Sequence, residues 1–143
     1  MIRNRSVPSA DVIPVLAYPD VLVASDWLCR AFGFRVRLHI GDHRAQLVVG
    51  EGAVIVTRAP ADAWPPTGTT VHVRVADADA HHALSVAAGA RILQPPTDFP
   101  YGERQYVAED PGGHRWTFSQ SIADIDPADW GGTATEPGEP VTG

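Results

Sequence analysis

Few side chains in this sequence could do chemistry, and the best placed of them alternate along one short stretch. In TTVHVRV, from Thr69, the residues Thr70, His72 and Arg74 fall on one face of a strand and Val71, Val73 and Val75 on the other, because successive strand side chains point to opposite sides. The valines must pack on a helix, so His72 and Arg74 face the open side, where a ligand would lie. HRWTFSQ repeats the arrangement, with Arg115, Thr117 and Ser119 on the open face and Trp116 and Phe118 beneath a helix. An imidazole titrates near neutral pH, so His72 can act as a general acid or base while Arg74 or Arg115 stabilises a developing oxyanion. Plainer readings stand beside these: His72 as a hydrogen-bonded wall residue, and Arg74 and Arg115 as ion-pair partners of Glu103, Asp98 or Glu109. Tyr101, Arg104 and Tyr106 lie in and after a proline-rich bend, where an aromatic ring or a guanidinium can stack on a planar ligand. Tyr106 also fits core packing. Trp64, among prolines, and Trp130, after the last strand, suit a ligand lid or a subunit contact, since an exposed tryptophan calls for a partner.

Composition removes other chemistries. All 11 basic residues are arginine, so a Schiff-base lysine and a lysine general base are excluded. The single cysteine, Cys29, rules out an internal disulfide and a multi-cysteine metal site, and within an apolar helix it reads as a small core residue. A formal charge of −6 argues against nucleic acid as a partner, because phosphate neutralisation needs a basic face. No apolar run approaches the ~20 residues of a membrane span, and MIRNRSVPSADVIPV lacks the apolar segment of a signal peptide, so the expected location is the cytoplasm. Adjacent His81 and His82 point about 100° apart on a helix and read as surface residues. Asp124, Asp126 and Asp129 lack the glycine and terminal glutamate of a calcium loop and read as a solvated turn and a cap before PADW.

The elements that position these residues are stated twice in the chain. AYPDVLVASDWLCRAFGFRVRL and RVADADAHHALSVAAGARILQ share an apolar strand, a capping aspartate, a helical stretch, a glycine stop and a second strand. Asp20 and Asp77 are separated by almost the same interval as Gly33 and Gly89, which implies two copies of a unit of roughly 55 to 60 residues. In the first copy a strand over 12–18 precedes a helix with Val21, Ala24, Leu28 and Ala31 inward, then FRVRLHI, RAQLVV and AVIVTR as strands. In the second, a helix to Ala88 places Ala80, Leu84 and Ala87 inward, RILQ is a strand, PPTDFPYG a bend, and ERQYVAE and HRWTFSQ strands flanking DPGG. The expected organisation is a flexible arm over 1–10, a single domain over 11–122, and a C-terminal extension over 123–143 with a disordered end. Within the domain, module one covers 12–58, a connector 59–68 and module two 69–120.

This tandem βαβββ pattern, with FGF closing the first helix, AAGA closing the second and YGERQY before DPGGHRW, resembles the vicinal oxygen chelate superfamily, and within it the glyoxalase and bleomycin-resistance branch. The resemblance implies an α+β fold of eight strands and two main helices, with curved half-barrel sheets around a cavity and helices on their outer faces. It also implies where a divalent metal would be held, and those positions fall on Ile13, Ile55, Thr70 and Thr117, none of which suits such an ion. The expected function is therefore metal-free binding of a hydrophobic or aromatic small molecule in the cavity between the modules, as in drug sequestration, by a homodimer and without a cofactor. The alternative is a lyase, isomerase or oxidoreductase that works through displaced metal ligands, among them His72, Glu103 and His114, or through metal-independent chemistry at His72.

Overall fold

The computed structural model describes residues 2–60 and 68–134. Module one comprises β1 (Val15–Tyr18), α1 (Val21–Phe32), β2 (Arg35–Ile40), β3 (Arg44–Val49) and β4 (Gly52–Arg58). Module two comprises β5 (Thr70–Arg74), α2 (Ala78–Ala87), β6 (Arg91–Phe99), β7 (Glu103–Glu109) and β8 (Arg115–Ser121), and a short 3₁₀ helix, Pro127–Trp130, follows. The strands form two four-stranded sheets of equivalent order, β1-β4-β3-β2 and β5-β8-β7-β6, in which the first strand of each module runs parallel to the last. This is the α+β fold of two βαβββ modules.

Both helices start on the predicted caps. Asp20 accepts from Val23 N–H at 3.1 Å and Asp77 from Ala80 N–H at 3.0 Å. Gly33 ends α1 with φ 76°, a conformation that glycine adopts without a Cβ penalty, and its N–H reaches Cys29 C=O.

Three expectations about local structure need correction. The first strand begins at Val15 rather than residue 12. The bend expected over PPTDFPYG is largely strand, since β6 continues through Pro95 and Pro96 to Phe99. β6 is the edge of its sheet and its pairing with β7 is broken by register shifts on either side of Gln94, which is where prolines are tolerated. The stripe expected on α2 is also turned around: Ala80, Leu84 and Ala87 are exposed, while Ala78, His81 and Ser85 face inward.

The reason lies in what α2 packs against. Leu16, Tyr18, Leu47, Val54 and Val56 of the first sheet, Trp27, Leu28 and Phe32 of α1, and Tyr106, Trp116 and Phe118 of the second sheet belong to one hydrophobic cluster. The two modules therefore share a single core, and the inward side of α2 meets polar groups at the seam. His81 Nε2 bonds Phe32 C=O at 2.9 Å, Tyr106 OH lies 2.5 Å from His81 Nδ1, and Ser85 Oγ lies 2.6 Å from Tyr106 OH. A carbonyl only accepts, so Nε2 carries the proton and the neutral ring takes Tyr106 O–H at Nδ1. His81 is thus a bridge between modules, not a surface residue.

Burial holds the His81 pKa below its ordinary value, partly offset by the Phe32 carbonyl, and burial pushes the Tyr106 hydroxyl up to about 12. The neighbouring titratable ring is His82, edge-on to Tyr106. Because the folded His81 pKa lies below the unfolded one, the unfolded chain takes up a proton first as pH falls through about 6.5. Its stability contribution is complete above that pH and declines below it, levelling off beneath the folded pKa. Thermal melts at pH 7.5 and 5 should show a smaller acid-side loss for His81→Gln, which keeps a donor and an acceptor but does not titrate; an equal loss would place the acid sensitivity elsewhere.

A second seam uses the DPGGHRW turn. Asp110 Oδ2 accepts from Tyr18 OH at 2.6 Å and Trp116 Nε1 at 3.0 Å, and its Oδ1 accepts from the N–H groups of Gly112 and His114, both at 3.0 Å. Burial, with the Asp110 charge next, pushes the Tyr18 hydroxyl far above the usual tyrosine range. His114 Nε2 meets Ala17 C=O at 2.7 Å and its ring lies 4.5 Å from that of Tyr18. The motif that carried the family resemblance is, physically, a clamp between the modules.

Candidate functional site: the outward face of the second sheet

With the valines of β5 and Trp116 and Phe118 of β8 turned toward the core, the opposite face of the sheet points outward. Cross-strand register then fixes its neighbours: His72 pairs with Thr117 and Thr117 with Val107, while Arg74 pairs with Ser119 and Ser119 with Gln105. His72 and Arg74 are exposed and Thr117 half-buried.

Between them runs a hydrogen-bonded row that the sequence reading did not assemble. Tyr101 OH donates to Gln105 Oε1 at 3.2 Å, Gln105 Nε2 to Ser119 Oγ at 3.0 Å, and Ser119 Oγ to Glu103 Oε1 at 2.7 Å. Hydrogen bonds from Ser121 and Ser119 hold the Glu103 carboxyl below the usual range, helped by the charges of Arg74 and His72. The face thus carries an ionised carboxylate beside an imidazole and a guanidinium. Gln105 and Ser121 were missed because only strand pairing brings them to this row.

At its rim stand three aromatic rings. Phe99 and Tyr101 are stacked with an interplanar angle of 8° and centroids 5.4 Å apart, and Tyr101 lies 5.3 Å from Trp130, which is 46% exposed. The chain after β8 is held against the β6–β7 turn by Ile122 N–H to Gly102 C=O at 2.8 Å, and a Cβ at Gly102 would run into the carbonyl oxygen of Ala123. Asp126 caps the 3₁₀ helix through Ala128 N–H, the role expected of that acidic run.

The remaining candidates separate. Tyr106 points into the core. Arg104 faces the helix side, where it bonds Asp98 at 2.7 Å and Asp79 at 3.0 Å, and the guanidinium holds the Asp98 carboxyl below its ordinary range. Arg115 lies at the end of the sheet, 3.8 Å from Glu109. Trp64 lies outside the described residues. His114, in the seam with Ala17 and Tyr18, is drawn away from His72 and Glu103, so the three do not converge on an ion. Burial pushes the Cys29 thiol up, away from the reactive thiolate.

A cleft of about 500 Å³ opens where module one meets this face, with Val12, Pro14, the Val49–Val54 turn, His72 and Arg74 around it. Another of similar size, between α1 and the Asp110–Gly112 turn, is lined by Leu22, Val23 and Trp27 together with Asp20, Asp26 and Arg30.

A sequence model of the Glyoxalase/Bleomycin resistance protein/Dioxygenase superfamily matches residues 13–118. The chain belongs to that superfamily. Among solved structures, it is similar to TioX from Micromonospora sp. ML1, with 41% identity, a TM-score of 0.68, and coverage of 80% of this chain and 100% of that one. The bleomycin-binding protein of Streptomyces verticillus, solved with copper(II)-bleomycin, shares the fold at 23% identity and a TM-score of 0.60, covering 80% of this chain and 98% of that one. The uncharacterized protein Mb0911c of Mycobacterium bovis is 34% identical over 59 residues, which is 41% of this chain. That match spans only 39% of the length of the mycobacterial relative.

Superfamily membership raises the question of a metal, and the donors answer it. Ile13 and Ile55 offer hydrocarbon, and Thr70 and Thr117 offer neutral hydroxyls. Among the described residues no three His, Cys, Asp or Glu side chains are grouped to hold an ion. The residues present at these positions do not fit a divalent cation. No helix among the described residues is long and apolar enough to cross a membrane.

Proposed function

We propose that this protein binds a hydrophobic or aromatic small molecule, without a metal, on the outward face of its second sheet. The observation that carries this reading is the joining of the Phe99–Tyr101–Trp130 rings to the Gln105–Ser119–Glu103 row through the Tyr101 hydroxyl. A planar ligand can stack on the rings, and its polar edge can bond Gln105, Glu103, His72 and Arg74. The fold shared with a bleomycin-binding protein supports the ligand class, and drug sequestration is the corresponding role. A homodimer, in which a second copy covers this open face, fits the same reading.

A thermal-shift screen of aromatic antibiotics, copper(II)-bleomycin included, tests it. A ligand at 100 times its dissociation constant adds about 2.7 kcal/mol to stability. Tyr101→Ala and Glu103→Gln are expected to weaken a confirmed ligand at least tenfold with little change in the unliganded melting temperature. Full affinity in both variants would move the binding site elsewhere.

A further inference from the structure

The polar groups on the outward face of the second sheet fall into two sets. Toward β6 and β7 they satisfy one another: Tyr101, Gln105, Ser119 and Glu103 are joined in the row, and Ser121 also donates to Glu103. Toward β5 they do not. Among the described residues, the side chains of His72, Arg74 and Thr117 have no hydrogen-bond or ion-pair partner. Thr117 stands opposite His72 in register, and Arg74 follows on the same face, about 7 Å further along β5. All three can donate, through a hydroxyl, an imidazole N–H and a guanidinium. His72 and Arg74 also border the cleft of about 500 Å³, whose opposite wall is Val12, Pro14, Ala53 and Val54. Glu51 is the one carboxylate in its lining and pairs with neither donor.

A set of donors without acceptors selects a ligand group that accepts. Glu103 does not fill that role: its charge reaches Arg74 and His72, but its carboxylate accepts from the two serines instead. A ligand carboxylate does fill it, because it matches the planar fork of a guanidinium and has lone pairs left for the imidazole or the hydroxyl. The apolar wall across the cleft shields this end from part of the solvent, which strengthens a charge-assisted bond. Resting on the small-molecule reading above, we propose that the ligand is an aryl-bearing carboxylic acid, its carboxylate held by Arg74 with His72 and Thr117 and its ring on Phe99, Tyr101 and Trp130. Register sets its length. Arg74 pairs with Ser119 and Ser119 with Gln105, so two strand spacings of about 4.8 Å separate Arg74 from the residue that bonds Tyr101. Ring and carboxylate must therefore lie about 10–15 Å apart. The row between them is already satisfied, so the linker needs no polar groups of its own.

Isothermal titration calorimetry on the full-length protein tests this with three probes: ω-phenyloctanoic acid, whose extended length falls within that span, its methyl ester, and octanoic acid, which lacks the ring. The acid should bind the parent protein at least tenfold more tightly than either of the others. Arg74 is exposed, so Arg74→Gln should melt like the parent; it should bring the acid down to the level of the ester and leave the ester unchanged. Arg74→Lys, which keeps the charge without the fork, should fall between the two. Tyr101→Ala should weaken acid and ester alike and preserve their ratio. No binding of the acid by the parent protein, equal affinity for acid and ester, or an acid preference that survives Arg74→Gln overturns the proposal. The small-molecule reading is judged separately. An aromatic ligand from the thermal-shift screen that loses affinity in Tyr101→Ala but not in Arg74→Gln would uphold that reading while the carboxylate assignment fell.

Discussion

Replacing Asp110 with alanine is expected to destabilise the protein by about 3–5 kcal/mol, the cost of breaking a fully satisfied buried charged network. Asp110 is 4% exposed and accepts four hydrogen bonds, two at each oxygen. The indole of Trp116 has no exposed surface, so water does not replace the carboxylate there. The loss also reaches across the modules, because Tyr18 belongs to β1 and Trp116 to β8. Asp110→Asn keeps the size and one acceptor, yet an amide must turn its NH₂ toward either the Tyr18–Trp116 donors or the two turn N–H groups. It should therefore cost nearly as much as alanine, while Tyr18→Phe, which keeps the other three bonds, should cost about 1–2 kcal/mol. Urea denaturation decides the matter: the midpoint should fall with an unchanged slope, and an asparagine variant as stable as the parent would show that the charge is dispensable.

The contrast between Asp110 and His72 shows what the sequence could reveal. Strand alternation is a property of each strand by itself, so the exposure of His72 and Arg74 and the burial of Trp116 and Phe118 follow from a period of two. Helix caps are equally local, and Asp20, Asp77 and Gly33 occupy the roles their chemistry dictates. The inward side of α2 is different, because it depends on a partner. Leu84 is 47% exposed while Ser85 is buried, since the seam offers Ser85 the Tyr106 hydroxyl and offers His81 the Phe32 carbonyl. The prolines of β6 mislead for a related reason: whether a strand tolerates them depends on its being an edge, which sheet order decides. The Gln105–Ser119–Glu103 row needs cross-strand register, which is not written in spacing along the chain.

Because one core serves both modules, a single side chain at its centre should control the whole domain. Phe32 closes α1 and packs on rings from both sides of the seam: Trp27 at 5.1 Å and Phe34 at 5.7 Å from module one, Trp116 at 5.5 Å and Phe118 at 4.7 Å from module two. Phe32→Ala removes these contacts and leaves a cavity that four neighbouring rings cannot readily fill, which costs about 3–5 kcal/mol. The more informative result is the shape of unfolding. If the modules were independent, the variant would melt in two steps, with module two unaffected. A shared core instead predicts one transition at lower temperature, seen identically by far-ultraviolet circular dichroism and by fluorescence of Trp116 in a protein whose other tryptophans are replaced by phenylalanine. Two separated transitions would mean that the seam joins modules that fold on their own, and that the His81 and Asp110 bridges align them without making them one cooperative unit.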